Sequence, residues 1–384
     1  MKIDNNLNSF ISNIKKTLKN SSRGFLHIPD LNGNEKKYLS DCIDSGYVSS
    51  IGPFVEKFED DLARYTKSKY VVAVCNGTSA LHLALKISGV KKNDEVLTPS
   101  LNFVAASNAI MYLNAVPHFI ESEINTLNID TKKLRNYLKK ITFSKDGFSY
   151  NSKTKRKIKA LVVLHAYGIP ADMENLKKIS KEFNLELIED AAEAIGSHLK
   201  GKHLGTLSNV GILSFNGNKL ITTGGGGALL LKNKKQAALA KHLSTTAKKP
   251  HQWRFFHDTL GFNYRMPNVN AALGCAQLER IDSFKEKKLR IHNNYLKYFK
   301  DSEFGEIVHS NKDVNFWINN FRLFDEYIHL KEKLLIKTNE IGLQTRPIWD
   351  LIESLPHFSK MPKMRNQVAQ KIYSSVISLP SSTN

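Results

Sequence analysis

The chain has 384 residues, 41% hydrophobic and 24% charged, with a formal net charge of +20 at pH 7, the balance of an ordinary soluble globular protein with length for two or three domains. No apolar run is long enough to span a bilayer and Met1 to Ser22 is too polar for a signal peptide, so the expectation is a cytoplasmic protein with no membrane partner. Three scattered cysteines, Cys42, Cys75 and Cys275, argue against a disulfide framework or a metal site, and lysines spread through almost every segment, without a nucleic-acid motif, argue against a nucleic-acid partner while leaving an anionic small substrate open.

In chain order, residues 1–24 are Lys/Asn-rich and read as a peripheral N-terminal helix or arm. Residues 25–250 read as a large α/β domain. Its strands are Tyr70 to Val74, Glu95 to Thr98, Val116 to Ile120, Ala160 to His165, Leu185 to Glu189, Val210 to Phe215 and Ala228 to Leu231, each an apolar run bounded by Gly, Pro, Asn or charge. Helical spacing between them, at Ser79 to Ile87, Val104 to Leu113 and Met173 to Phe183, gives a doubly wound, mostly parallel sheet covered by helices. The polar, basic insert Ile141 to Lys157 fits a surface hairpin or loop. Residues 251–384 lose the alternation after helical patterns at Val269 to Ile281 and Lys285 to Phe299, and read as a smaller α+β domain.

Ligands of such sheets bind beyond the carboxyl ends of the strands, and reactive residue types gather there. Gly77-Thr78-Ser79-Ala80 opens a helix and offers N–H groups and hydroxyls to a phosphate, although a plain helix cap needs only one of them. Asp190 ends a strand where a carboxylate is costly unless it meets a cation or several donors. The protonated ring nitrogen of pyridoxal phosphate would serve; a cap of the next segment is the plainer alternative. Phe103 follows another strand and could stack on such a ring or simply join the core. His165-Ala166-Tyr167-Gly168 follows a fourth. Lys219, between Ser214-Phe215-Asn216-Gly217-Asn218 and the run Gly224-Gly225-Gly226-Gly227, has the crowded, partly dry setting that makes an amine nucleophilic, as a Schiff-base lysine requires. A solvated loop lysine is the alternative.

Six segments in order resemble the DegT/DnrJ/EryC1/StrS sugar aminotransferases of the pyridoxal phosphate-dependent fold type I. They are Ser45 to Pro53, Asn76 to His82, His165 to Met173, Glu189 to Gly196, the Lys219 block and Gly261 to Met266. The resemblance implies a mostly parallel seven-stranded sheet with flanking helices and a smaller C-terminal α+β domain. It implies pyridoxal 5'-phosphate as cofactor, linked to Lys219, which also shuttles protons. Asp190 would pair with the ring nitrogen and Phe103 would stack on the ring. Gly77, Thr78, Ser79 and Ser214 would hold the phosphate. Asn263 would reach the phosphate bound to the other subunit, which implies a homodimer with shared active sites. Glu193 stands where many relatives carry Gln beside the cofactor's phenolic oxygen, so its carboxylate must be protonated or turned away. Asn268 and Asn270 replace a Glu and a Gln common after the Arg-Met pair.

The finer segments look most like the legionaminic acid branch, which implies transfer of the amino group of L-glutamate to C4 of a nucleotide-linked 4-keto-6-deoxy-N-acetylhexosamine, UDP or GDP, in nonulosonic acid or surface-glycan biosynthesis. His165, Arg265 and Arg346 are candidate substrate contacts, the arginines for the diphosphate. Three rivals stand beside this reading: an aminotransferase acting on another keto-sugar nucleotide, at C3 or on a different 4-keto hexose; a sugar dehydratase, which carries a histidine at the lysine position; and a non-catalytic basic binding protein on the same scaffold.

Overall fold

The computed structural model describes residues 2–19, 21, 23–309 and 313–383. Its centre is a seven-stranded sheet made of β1 (Tyr70–Val74), β2 (Glu95–Pro99), β3 (Val116–Ile120), β4 (Ile158–Leu164), β5 (Glu186–Asp190), β6 (Val210–Ser214) and β7 (Gly227–Leu231). The spatial order is β1-β7-β6-β5-β4-β2-β3. β2 through β6 pair in parallel, and β7 alone runs antiparallel to both of its neighbours.

The strands are continuous apolar runs because both faces are covered. Successive side chains point to opposite faces, so Leu97, Leu161, Val163 and Leu230 enter one core while Val96, Ala160, Val162, Leu229 and Leu231 enter another. The second core is roofed by helices Gly77–Ile87, Ala105–Tyr112 and Lys234–Ser244. Helix Met173–Glu182 and helix Asn268–Leu278 contribute to the first. The insert is a hairpin, Thr142–Lys145 paired with Phe148–Asn151.

A second sheet holds β8 (Gly305–Ile307), β9 (Asn319–Leu323), β10 (Arg346–Pro347) and β11 (Val376–Leu379) in the antiparallel order β8-β9-β11-β10. The N-terminal segment is a helix, Lys2–Thr17, but it is not peripheral. Phe10 and Ile14 are fully buried, and the Phe10 ring meets Phe299, Phe304 and Phe321 at centroid distances of 5.6, 6.2 and 5.2 Å. Its Lys/Asn-rich composition hides two aromatic and aliphatic anchors spaced four residues apart, enough for one buried face. Among the described residues no helix is long and apolar enough to cross a membrane, and no group of three or more His, Cys, Asp or Glu gathers as metal ligands do.

Candidate active site

The carboxyl ends of β4, β5 and β6 and the first turn of helix Gly77–Ile87 enclose a cavity of about 340 Å³. Asn76 caps that helix by accepting the Ser79 N–H at 2.7 Å. The N–H groups of Gly77 and Thr78, in the same first turn, have no intrahelical acceptor, and both residues line the cavity with Ser214. Close backbone approach makes this possible: a Cβ on Gly77 would lie 2.9 Å from the Ser214 Cβ, and one on Gly227 would lie 2.6 Å from the Asn76 carbonyl. Part of the glycine run therefore serves packing of β7 against the helix start.

Lys219 follows β6 in a bend, with its N–H on the Asn216 carbonyl at 2.9 Å. Its Nζ lies 3.3 Å from Glu193 Oε1 and 4.1 Å from the centroid of the Trp317 ring. Glu193 is buried and not turned away; its Oε2 accepts the Tyr167 N–H at 2.8 Å, and burial pushes its pKa up against the pull of Lys219. Tyr167 holds this N–H in place from a left-handed backbone, φ 53°, that a buried ring stabilises: it stacks on Trp349 at 4.7 Å and on Trp317 at 6.1 Å. Asp190 is 4% exposed, and its Oδ1 accepts the Ala192 N–H at 3.2 Å. Burial raises its pKa to about 6, and the neighbouring Glu193 carboxylate adds to the rise.

The cavity has the donors and acceptors that pyridoxal phosphate needs. Asp190 is a buried acid in want of a cation, the helix start offers free N–H groups of the kind that suit a phosphate, and Lys219 supplies an amine. Asn102 also lines the cavity, and its buried Nδ2 has no acceptor among the described residues, as expected of a donor shaped for a bound group.

The profile of the DegT/DnrJ/EryC1/StrS aminotransferase family matches residues 29–384. The chain belongs to this family. It is 35% identical over 357 residues to the GDP-perosamine synthase of Escherichia coli O157:H7, covering 92% of each. It is 32% identical over 333 residues to the UDP-4-amino-4,6-dideoxy-N-acetyl-beta-L-altrosamine transaminase of Campylobacter jejuni, covering 86% of this chain and 85% of that one. Among solved structures, Helicobacter pylori PseC, an aminotransferase involved in the biosynthesis of pseudoaminic acid, superposes with a TM-score of 0.85 at 21% identity over 94% of each chain. This DegT-family chain is therefore a pyridoxal phosphate-dependent aminotransferase of fold type I.

Of the residues expected at the site, Gly77, Thr78, Phe103, Asp190, Glu193, Ser214 and Lys219 meet at the one cavity. Phe103 is at its mouth, 57% exposed. Five do not line it. Ser79 is turned into the helix cap, its hydroxyl 3.4 Å from the Cys75 sulfur. His165 is fully buried below the strand end, with Nε2 3.1 Å from Glu189 Oε2 and Nδ1 accepting the Ala171 N–H at 3.2 Å, so both ring nitrogens are used and no substrate can reach it. Arg265 lines a separate cavity of about 240 Å³ beside Gly52 and Lys241. Arg346 is exposed on β10, donating to Asn339 Oδ1 and the Thr345 carbonyl, each at 2.7 Å. Asn263 is exposed, bridged to Thr245.

Sequence reading missed Trp317, Trp349 and Asn102, all of which line the cavity. The chain has only three tryptophans. That two sit here was a usable signal, since a buried ring with a polar edge is favoured where an apolar wall meets a polar ligand.

Proposed function

We propose that this enzyme moves the amino group of L-glutamate to C4 of a nucleotide-linked 4-keto-6-deoxy-N-acetylhexosamine, as the legionaminic acid branch does. The observation that carries the catalytic half is the meeting of Lys219, Asp190 and the Gly77-Thr78 helix start at one cavity. The substrate half is supported by relatives named for a GDP-linked sugar and for a UDP-linked 4-amino-4,6-dideoxy-N-acetyl sugar.

Pyridoxal phosphate, when bound, supplies an aldehyde that condenses with amines and a protonated ring that withdraws electrons. Lys219 Nζ would be the amine that holds the cofactor covalently and, once freed, the base that takes and returns the proton of the amino-bearing carbon. Asp190 would pair with the ring nitrogen and favour its protonated form. Gly77, Thr78 and Ser214 would hold the phosphate, and Phe103 at the cavity mouth would stack on the ring. Glu193 pairs with Lys219 and would orient its amine within the cavity. Trp317 and Trp349 wall the cavity and exclude water.

The same reading makes Asn263 a contact to the cofactor of a second copy, and the molecule a homodimer with shared active sites. Its exposure supports this, as do the nearby Trp253, Phe255, Phe256 and Leu260, exposed by 71, 81, 59 and 75%, an apolar surface that a second copy would cover. The test is turnover of the purified holoenzyme with L-glutamate and either the GDP- or the UDP-linked 4-keto-6-deoxy-N-acetylhexosamine, following 2-oxoglutarate and the aminated sugar. Release of 2-oxoglutarate with neither sugar aminated would overturn the substrate and leave the aminotransferase. Full activity in a sedimenting monomer would remove the role of Asn263.

A further inference from the structure

Two groups beside the site have no part in the chemistry above. Lys288, in helix Ile281–Phe299, is fully buried. Its Nζ meets three acceptors and, among the described residues, no carboxylate: the Trp317 carbonyl at 2.6 Å, His27 Nδ1 at 2.9 Å and the Ser381 carbonyl. The far nitrogen of the same imidazole, His27 Nε2, lies 3.0 Å from the Lys219 carbonyl.

The hydrogens can be assigned from the partners. A carbonyl only accepts, so His27 Nε2 carries a proton and donates to Lys219. A neutral His27 then leaves Nδ1 as an acceptor, and Lys288 donates to it and to the carbonyls, with a proton for each of the three acceptors when it is an ammonium. A charged His27 would instead donate to a neutral Lys288 amine. Burial disfavours the charged form of both groups, and in each of these arrangements the Nε2–H bond to the Lys219 carbonyl is kept.

Lys288 reaches Lys219 by a second route. Trp317, whose carbonyl it holds, gives its Nε1–H to the Asn218 carbonyl at 2.7 Å and sets its ring against Lys219 Nζ. We propose that Lys288 and His27 are positioning residues for Lys219, one buried amine fixing both the backbone of the lysine and the aromatic wall beside its amine. A buried nitrogen that carries protons is costly unless its hydrogen bonds are complete. The arrangement therefore admits little movement of Lys219, which otherwise sits in a bend between two glycine-containing segments. The inference rests on the reading of Lys219 as the cofactor-bearing residue.

The test compares wild type, His27→Phe and His27→Gln as holoenzymes. His27→Phe removes both nitrogens; His27→Gln keeps a donor for the Lys219 carbonyl and an acceptor for Lys288. Expected for His27→Phe is a fall in kcat of about tenfold to a hundredfold with KM within about twofold, beside a lowered melting temperature because Lys288 loses an acceptor. A slower appearance of borohydride-reducible label at Lys219, read by peptide mass spectrometry when pyridoxal phosphate is added to cofactor-free protein, is also expected. His27→Gln should recover most of both losses. Wild-type kcat and labelling in His27→Phe, or equal impairment of the two variants, would overturn the proposal. Should His27→Phe not fold, His27→Met against His27→Gln makes the same comparison. Label on a lysine other than Lys219 in the wild type would instead refute the reading of Lys219, and the two failures are thus distinguishable.

Discussion

Asp190 is a carboxylate buried at a strand end with one backbone N–H for company, and its pKa of about 6 stands above the unfolded value near 3.8. Between those values the folded state holds a proton that the unfolded chain has released. The cofactor-free protein therefore loses stability as pH rises from about 4 through 6, by on the order of 3 kcal/mol from this group. Asp190→Asn should remove that slope from the melting temperature of the cofactor-free protein, and should lower transamination by about a hundredfold or more because the ring nitrogen loses its ionic partner. Lys219→Ala should leave the melting temperature of the cofactor-free protein nearly unchanged while 2-oxoglutarate release falls by about a thousandfold or more. A Lys219→Ala enzyme at the wild-type rate would sink the mechanism. Both residues were legible in the sequence because each follows an apolar run directly, and the ends of such runs converge in a parallel sheet. Trp317 and Trp349 were not, because they reach the cavity from a region whose spacing repeats neither at 2 nor at 3.6 residues.

At the scale of elements, the seven strands of the large sheet were readable to within a residue or two, since strands buried on both faces are apolar throughout. The hairpin Thr142–Lys145 with Phe148–Asn151 was expected on the surface, and its outer strand is. Its base is tied inward: Asn151 Nδ2 donates to Glu95 Oε2 at 3.0 Å, and Thr154 Oγ1 donates to the other oxygen. Glu95 also meets His118 Nδ1 at 2.8 Å, both side chains fully buried, and His118 Nε2 lies 2.9 Å from the Tyr137 hydroxyl. Burial by itself would raise the pKa of Glu95, but the bonds from His118, Thr154 and Asn151 hold it below its usual value of 4.5. Its stabilising contribution is thus present above that unfolded value and fades as pH drops through the lower folded one. Glu95→Ala should cost about 3–5 kcal/mol in urea unfolding, because it leaves a buried imidazole and two donors without their acceptor. A loss under about 1 kcal/mol would mean that water replaces the carboxylate. No local pattern announces such a network, since its members lie on four segments far apart in the chain.

At the scale of the whole molecule, the helix that comes first in the chain packs against the sheet that comes last. Helix Lys2–Thr17 closes the aromatic cluster of the second sheet, so Phe10→Ala should cost about 3–5 kcal/mol in chemical unfolding. A peripheral arm would show almost no change. This packing was illegible in the sequence because a polar helix with two buried anchors has the same composition as a solvated one.

The two ends also meet beneath the site: the Ser381 N–H is shared between the Phe25 and Leu26 carbonyls at 3.1 and 3.0 Å, and the Ser381 carbonyl takes a proton of Lys288. A polypeptide is made from one end, so Lys219 and Asp190 exist before the Ser381 carbonyl that Lys288 bonds. The surroundings of Lys288 are accordingly finished later than the main sheet, and a chain cut before Ser381 keeps every strand of that sheet while lacking one of the three acceptors of Lys288.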